Sequence, residues 1–126
     1  MKFSDLLEAS SDWKLHYDGY SIKINDDIKH DLITRLKSRT EETLESINNK
    51  VQKAIDSIMV HYNFLKVKKT TTYCVHYTKS KFKLVIKVYN NKIIFKTILT
   101  DKMHHVADIT RELNETLKYE YIELAL

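Results

Sequence analysis

At 126 residues, with 43% apolar and 30% charged side chains, the chain is long enough to bury one hydrophobic core and too apolar to be disordered. One glycine, no proline and one cysteine exclude long flexible linkers, an internal disulfide and a cysteine-based zinc site. The net charge of +4 hides a segregation. Residues 61 to 100 hold nine lysines and no acidic residue, leaving 12 basic against 17 acidic residues elsewhere. A basic surface on one part of a single domain is expected, suited to RNA, DNA or an acidic protein.

The opening "MKFSDLLEASSDW" lacks the apolar core of a signal peptide, and no apolar run is long enough to cross a membrane. A cytoplasmic location is therefore expected. The lone Cys74 fits a reducing compartment as a small buried filler. Residues 3 to 9 suit a short helix, with Phe3, Leu6 and Leu7 on its apolar side. "WKLHYDGYSIKIN" reads as an N-terminal hairpin over about 13 to 24, turning at Asp18-Gly19. Asn25 to Asp27 offer N-caps for a helix over about 27 to 38, whose apolar side is Leu32, Ile33 and Leu36.

Thr40 is a candidate N-cap for a longer helix. Its buried stripe is Leu44, Ile47, Val51, Ala54, Ile55, Ile58 and Met59. From residue 63 the period changes to two, and strands are expected near 63 to 68, 71 to 78, 81 to 89 and 92 to 99. Asn90-Asn91 is the clearest turn, since asparagine tolerates positive φ. It pairs Tyr89 with Lys92, Val88 with Ile93, Ile86 with Phe95 and Leu84 with Thr97. Phe82, Leu84, Ile86, Val88, Ile93, Phe95 and Leu99 then share one face. Lys81, Lys83, Val85, Lys87, Tyr89, Lys92, Ile94, Lys96 and Ile98 share the other.

A four-residue loop from Thr78 to Lys81 pairs Tyr77 with Phe82 and His76 with Lys83, placing His76 among the lysines. Thr100 or Asp101 can cap a last helix over about 101 to 118. "YEYIELAL" suits either a strand or a helical extension. The sum is one α+β domain over residues 1 to 126: helices packed on one face of a small antiparallel sheet whose other face is basic.

Such a surface raises a question of chemistry. Single-stranded RNA is cleaved without metal when a base takes the 2′-hydroxyl proton, cations stabilise charge on phosphorus, and an acid protonates the leaving 5′-oxygen. Histidine suits either proton role, and arginine offers paired donors to phosphate. His30, Arg35, Arg39, His76 and the lysine face contain these parts.

The order is "SIKIND", a helix with His30 before Arg35 and Arg39, a long helix, then "FKLVIKVYNNKIIFKTILT". Over residues 21 to 100 it resembles the RelE/ParE-type toxin superfamily, particularly its branch of BrnT-like toxins and RegB-like phage endoribonucleases. The resemblance implies a RelE-like fold and a toxin-like or phage-encoded endoribonuclease, a hydrolase of single-stranded RNA. His30, Arg35 and His76 would be catalytic. Arg39, Lys81, Lys83, Lys87, Tyr89 and Lys96 would hold RNA, and an antitoxin or host protein would be a further partner. One spacing departs from the family pattern. His30 precedes Arg35 by five residues, not four, which suits the geometry only if His30 lies at or before the N-cap.

The alternative is a non-catalytic basic protein that grips RNA, DNA or an acidic host protein as an inhibitor or regulator. No membrane association and no cofactor are implied. His104-His105 lacks a third ligand at recognisable spacing, so no metal site is expected.

Overall fold

The computed structural model describes residues 13–36, 44–100 and 119–126. In chain order its elements are β1 (Ser21–Lys23), α1 (Asp26–Leu36), α2 (Leu44–Phe64), β2 (Thr71–Tyr77), β3 (Phe82–Tyr89), β4 (Lys92–Thr100) and β5 (Glu120–Leu124). The expected helices at 3 to 9 and 101 to 118, the Thr40 cap and Arg39 lie outside the described residues.

Asn25 starts α1. Its side-chain Oδ1 accepts the Ile28 N–H at 2.8 Å, and Asp26 and Asp27 fill the first turn, where acidic groups suit the helix dipole. Eleven residues are too few for a helix to stand alone in water, so burial of Ile28, Leu32 and Ile33 holds it. The long helix α2 buries Ile47, Val51, Ala54, Ile55, Ile58, Met59 and Tyr62. Tyr62 continues the stripe one turn beyond Ile58, so the helix runs to Phe64 through the start of the strand expected at 63 to 68. Residues 65 to 70 then form neither helix nor strand.

The sheet has five strands in the order β1-β4-β3-β2-β5. The central three form the expected antiparallel meander. Both outer strands are parallel to their neighbours, β1 to β4 and β5 to β2, so the sheet is mixed and not antiparallel. "YEYIELAL" resolves as strand. The turn at Asp18-Gly19 is present, with Gly19 at φ +81° and a single bridge between Tyr17 and Tyr20, but β1 pairs with β4 and not back onto residues 13 to 16.

That segment still alternates. Trp13, Leu15 and Tyr17 pack against the core while Lys14 and His16 face solvent. The segment is held by side-chain amides of α2, through both its backbone and the Tyr17 hydroxyl. Lys14 N–H donates to Asn48 Oδ1 (2.9 Å), and Asn63 Nδ2 donates to the Tyr17 hydroxyl (2.8 Å).

At the Asn90-Asn91 turn both residues take positive φ, +46° and +58°, and the pairs Tyr89–Lys92, Val88–Ile93 and Ile86–Phe95 form as expected. Beyond them lies a β-bulge. Val85 pairs with Thr97 and Leu84 with Ile98, leaving Lys96 as the extra residue on β4. The extra residue reverses the faces that simple alternation assigns. Ile98 joins the helix-side core, and Leu99 turns to the other face with Val85 and Cys74. Tyr77 pairs with Phe82 and His76 with Lys83, as the four-residue loop requires. Tyr77 stacks on Phe82 (4.7 Å, 19°), and its hydroxyl donates to Lys50 O at 3.0 Å.

Candidate nucleic-acid interface

The sheet face remote from α1 and α2 carries the residues of interest, and the register arranges them in rows. Ser21, Lys92 and Tyr89 form the first row. Lys23, Ile94, Lys87 and Thr72 form the second. Parallel pairing of β1 thus brings Lys23 beside the β3–β4 hairpin. Lys87 Nζ lies 5.0 Å and Lys92 Nζ 5.9 Å from the centroid of the half-exposed Tyr89 ring, so two cations lie over one aromatic ring. No acidic residue belongs to either row. Three lysines, a tyrosine and an isoleucine at one corner match what single-stranded nucleic acid needs: cations for the backbone and a platform for a base.

The rest of this face differs. Its middle, formed by Cys74, Val85 and Leu99, is buried. Burial pushes the Cys74 thiol up to about 11, against the opposing pull of Lys83, so it is a packed side chain and not a ready nucleophile. At the far end, His76 Nδ1 meets the Tyr121 hydroxyl at 2.6 Å, and Glu123 pairs with His76 beside Lys83. The row that holds Lys83 therefore also holds a carboxylate, whereas the rows at the Tyr89 corner hold none.

The structure separates the residues expected to cleave RNA. His30 is exposed on α1, which packs on the helix side of the sheet, whereas His76 points from the opposite side. Nor does His30 occupy the N-cap. Asn25 does, so His30 sits within the helix, and its position lies about 140° around the axis from that of Arg35. Arg39 lies outside the described residues. Lys81 stands in the β2–β3 turn with φ +59°, and Lys96 is exposed on the bulge. Lys83, Lys87 and Tyr89 lie on the expected face.

Sequence reasoning missed Lys23 and gave Lys92 no binding role. Only the parallel pairing of β1 joins them to Tyr89. It also missed a second polar group on the helix side, where His61 Nδ1 meets the buried Tyr73 hydroxyl at 2.8 Å and His61 Nε2 stands 3.9 Å from Glu120. Among the described residues no cluster of three or more His, Cys, Asp or Glu has metal-site geometry, and no helix is long and apolar enough to cross a membrane.

The chain matches no protein-family model, no curated protein and no solved structure.

Proposed function

We propose that this chain binds single-stranded RNA through the corner formed by Lys23, Lys87, Tyr89 and Lys92, as an inhibitor or regulator. The observation that carries this reading is the Tyr89 ring flanked by two lysines, in rows free of acidic residues. Binding is favoured over the endoribonuclease role implied by the RelE-like resemblance. Cleavage by 2′-hydroxyl attack needs an acid and a base at one phosphate, and His30 and His76 lie on opposite sides of the sheet. A toxin-like or phage-encoded role rests on that resemblance alone.

The test is a labelled single-stranded RNA, with binding followed by anisotropy and integrity by gel in EDTA. Tyr89→Ala and Lys87→Ala should each weaken binding by roughly tenfold, the range of one stacked base or charge contact, and the RNA should stay intact. Undiminished binding in the double variant would sink the interface. Fragments ending in 2′,3′-cyclic phosphate, lost in His30→Ala, would restore the nuclease reading.

An acidic protein partner is a second reading, favoured by a different surface. Val60, Phe64 and Val67 are 61%, 83% and 71% exposed, beside exposed Lys66 and Lys69. An acidic amphipathic peptide should then bind wild type and fail on Phe64→Ser.

A further inference from the structure

Strand β1 ends at Lys23 while β4 continues to Thr100, so a cleft opens where the chain leaves the sheet for α1. Its volume is about 520 Å³, and its walls include Trp13, Lys23, Asn25, Lys29, Ile94 and Phe95. The wall chemistry is divided. Trp13, Ile94 and Phe95 supply apolar surface, Lys23 and Lys29 supply positive charge, and among the described residues no acidic side chain lines it. The indole Nε1 of Trp13 is cut off from solvent and has no hydrogen-bond partner among the described residues, an unusual state for a buried donor. Lys29 Nζ stands 3.9 Å from Asp26, a long ion pair with a carboxylate that is itself 86% exposed.

We propose that this cleft holds one nucleoside 5′-monophosphate unit, its base against Trp13 and Ile94 and its phosphate between Lys23 and Lys29. The volume lies within the range of small-ligand clefts, and a lining that combines apolar side chains with two cations suits a ligand with a ring at one end and a dianion at the other. The unit can be a free nucleotide or the 5′ end of a strand. The second source rests on the RNA-binding reading above. Lys23 and Ile94 belong both to the cleft and to the row that leads to Lys87, so a strand crossing that row passes the cleft mouth.

Trp13 is the only tryptophan in the chain, so its fluorescence reports on the cleft directly. Titration of the full chain with AMP should change the emission saturably. Adenosine and inorganic phosphate, each carrying half of the ligand, should bind at least tenfold more weakly. Lys29→Ala should weaken AMP at least tenfold, Lys29→Arg should recover most of it, and Tyr89→Ala should leave it unchanged.

Tighter binding of a 5′-phosphorylated oligonucleotide than of its 5′-hydroxyl form, lost in Lys29→Ala, would assign the cleft to strand ends. Equal binding of the two oligonucleotides, with AMP still bound, would assign it to free nucleotides. No saturable AMP response from a chain that still binds RNA would overturn this inference and spare the RNA reading. AMP binding with no RNA binding would do the reverse.

Discussion

Gln52 holds the backbone of His16 from both sides: its Oε1 accepts the His16 N–H at 3.1 Å, and its Nε2 donates to His16 O at 2.8 Å. The same Nε2 donates to Asp56 Oδ1 at 2.9 Å, one helical turn away. A helix side chain thus substitutes for the strand neighbour that residues 13 to 16 lack among the described residues. Gln52→Ala should cost about 1–2 kcal/mol, the net value of hydrogen bonds in a partly solvated place. Gln52→Glu should fare no better, because a carboxylate cannot donate to His16 O and repels Asp56. Denaturant midpoints measure the loss, and a red shift of Trp13 emission should accompany it as the strap loosens.

The pair His61 and Tyr73 predicts an order of effects. Tyr73 is fully buried, and its hydroxyl meets His61 Nδ1. Tyr73→Phe removes the polar atom with its need for a partner and should cost about 1 kcal/mol. His61→Ala leaves the hydroxyl behind without that imidazole and should cost more, about 1–3 kcal/mol. Equal losses in the two variants would mean that solvent reaches the hydroxyl and satisfies it.

Alkaline pH should destabilise the fold. Burial holds the Cys74 thiol at about 11 against an ordinary 9.0, so the unfolded chain releases this proton first. Stability then falls as pH rises from 9 to about 11, by roughly 2 kcal/mol for this group. Tyr20, Tyr73 and Tyr77, all raised chiefly by burial, add losses of the same sign above their ordinary value of 10.0. Cys74→Ala should be less stable at pH 7, yet flatter between pH 9 and 10. Thermal melts across that range give both slopes.

The bulge makes a sharper prediction. Deleting Lys96 leaves Phe95, Thr97, Ile98 and Leu99 in plain alternation, with every side chain still on its present face. The variant should fold with a change within about 1 kcal/mol. Deleting Ile94 instead moves the residues before or after the gap onto the wrong face and should abolish folding. Far-ultraviolet and near-ultraviolet circular dichroism separate the two outcomes.

Electrostatics at the Tyr89 corner set a salt dependence. Binding of single-stranded RNA should weaken linearly in logarithmic terms with salt, and each of Lys23→Ala, Lys87→Ala and Lys92→Ala should reduce the slope by about 0.7. Lys79→Ala, in the turn between β2 and β3, should leave the slope unchanged.

Much of this fold is legible in residue order because local geometry sets it. The Asn90-Asn91 turn and the loop from Thr78 to Lys81 fix two registers from their lengths, and the α2 stripe follows from its period. Other features depend on partners distant in sequence. "WKLHY" alternates as a strand does, but nothing in those five residues says that amides of a helix, and not a neighbouring strand, take its backbone. The bulge at Lys96 hides because Ile98 and Leu99 are equally apolar, and either satisfies the pattern. His30 looks placed for phosphate only until the cap is known. Asn25 and not a later residue starts the helix, which sets His30 well inside it.

The strands also differ in how far the chain must travel to complete them. The meander of β2, β3 and β4 closes through short turns, whereas Ser21 must find Lys92 and Tyr73 must find Glu120 across most of the intervening fold. Loop-closure entropy therefore delays both margins of the sheet until the middle exists. Lys23 reaches Tyr89 only when the slower margin docks, so the proposed binding corner and its cleft are among the last surfaces assembled and the first lost. A bound strand would act there as a clasp, slowing amide exchange in β1 more than in β3.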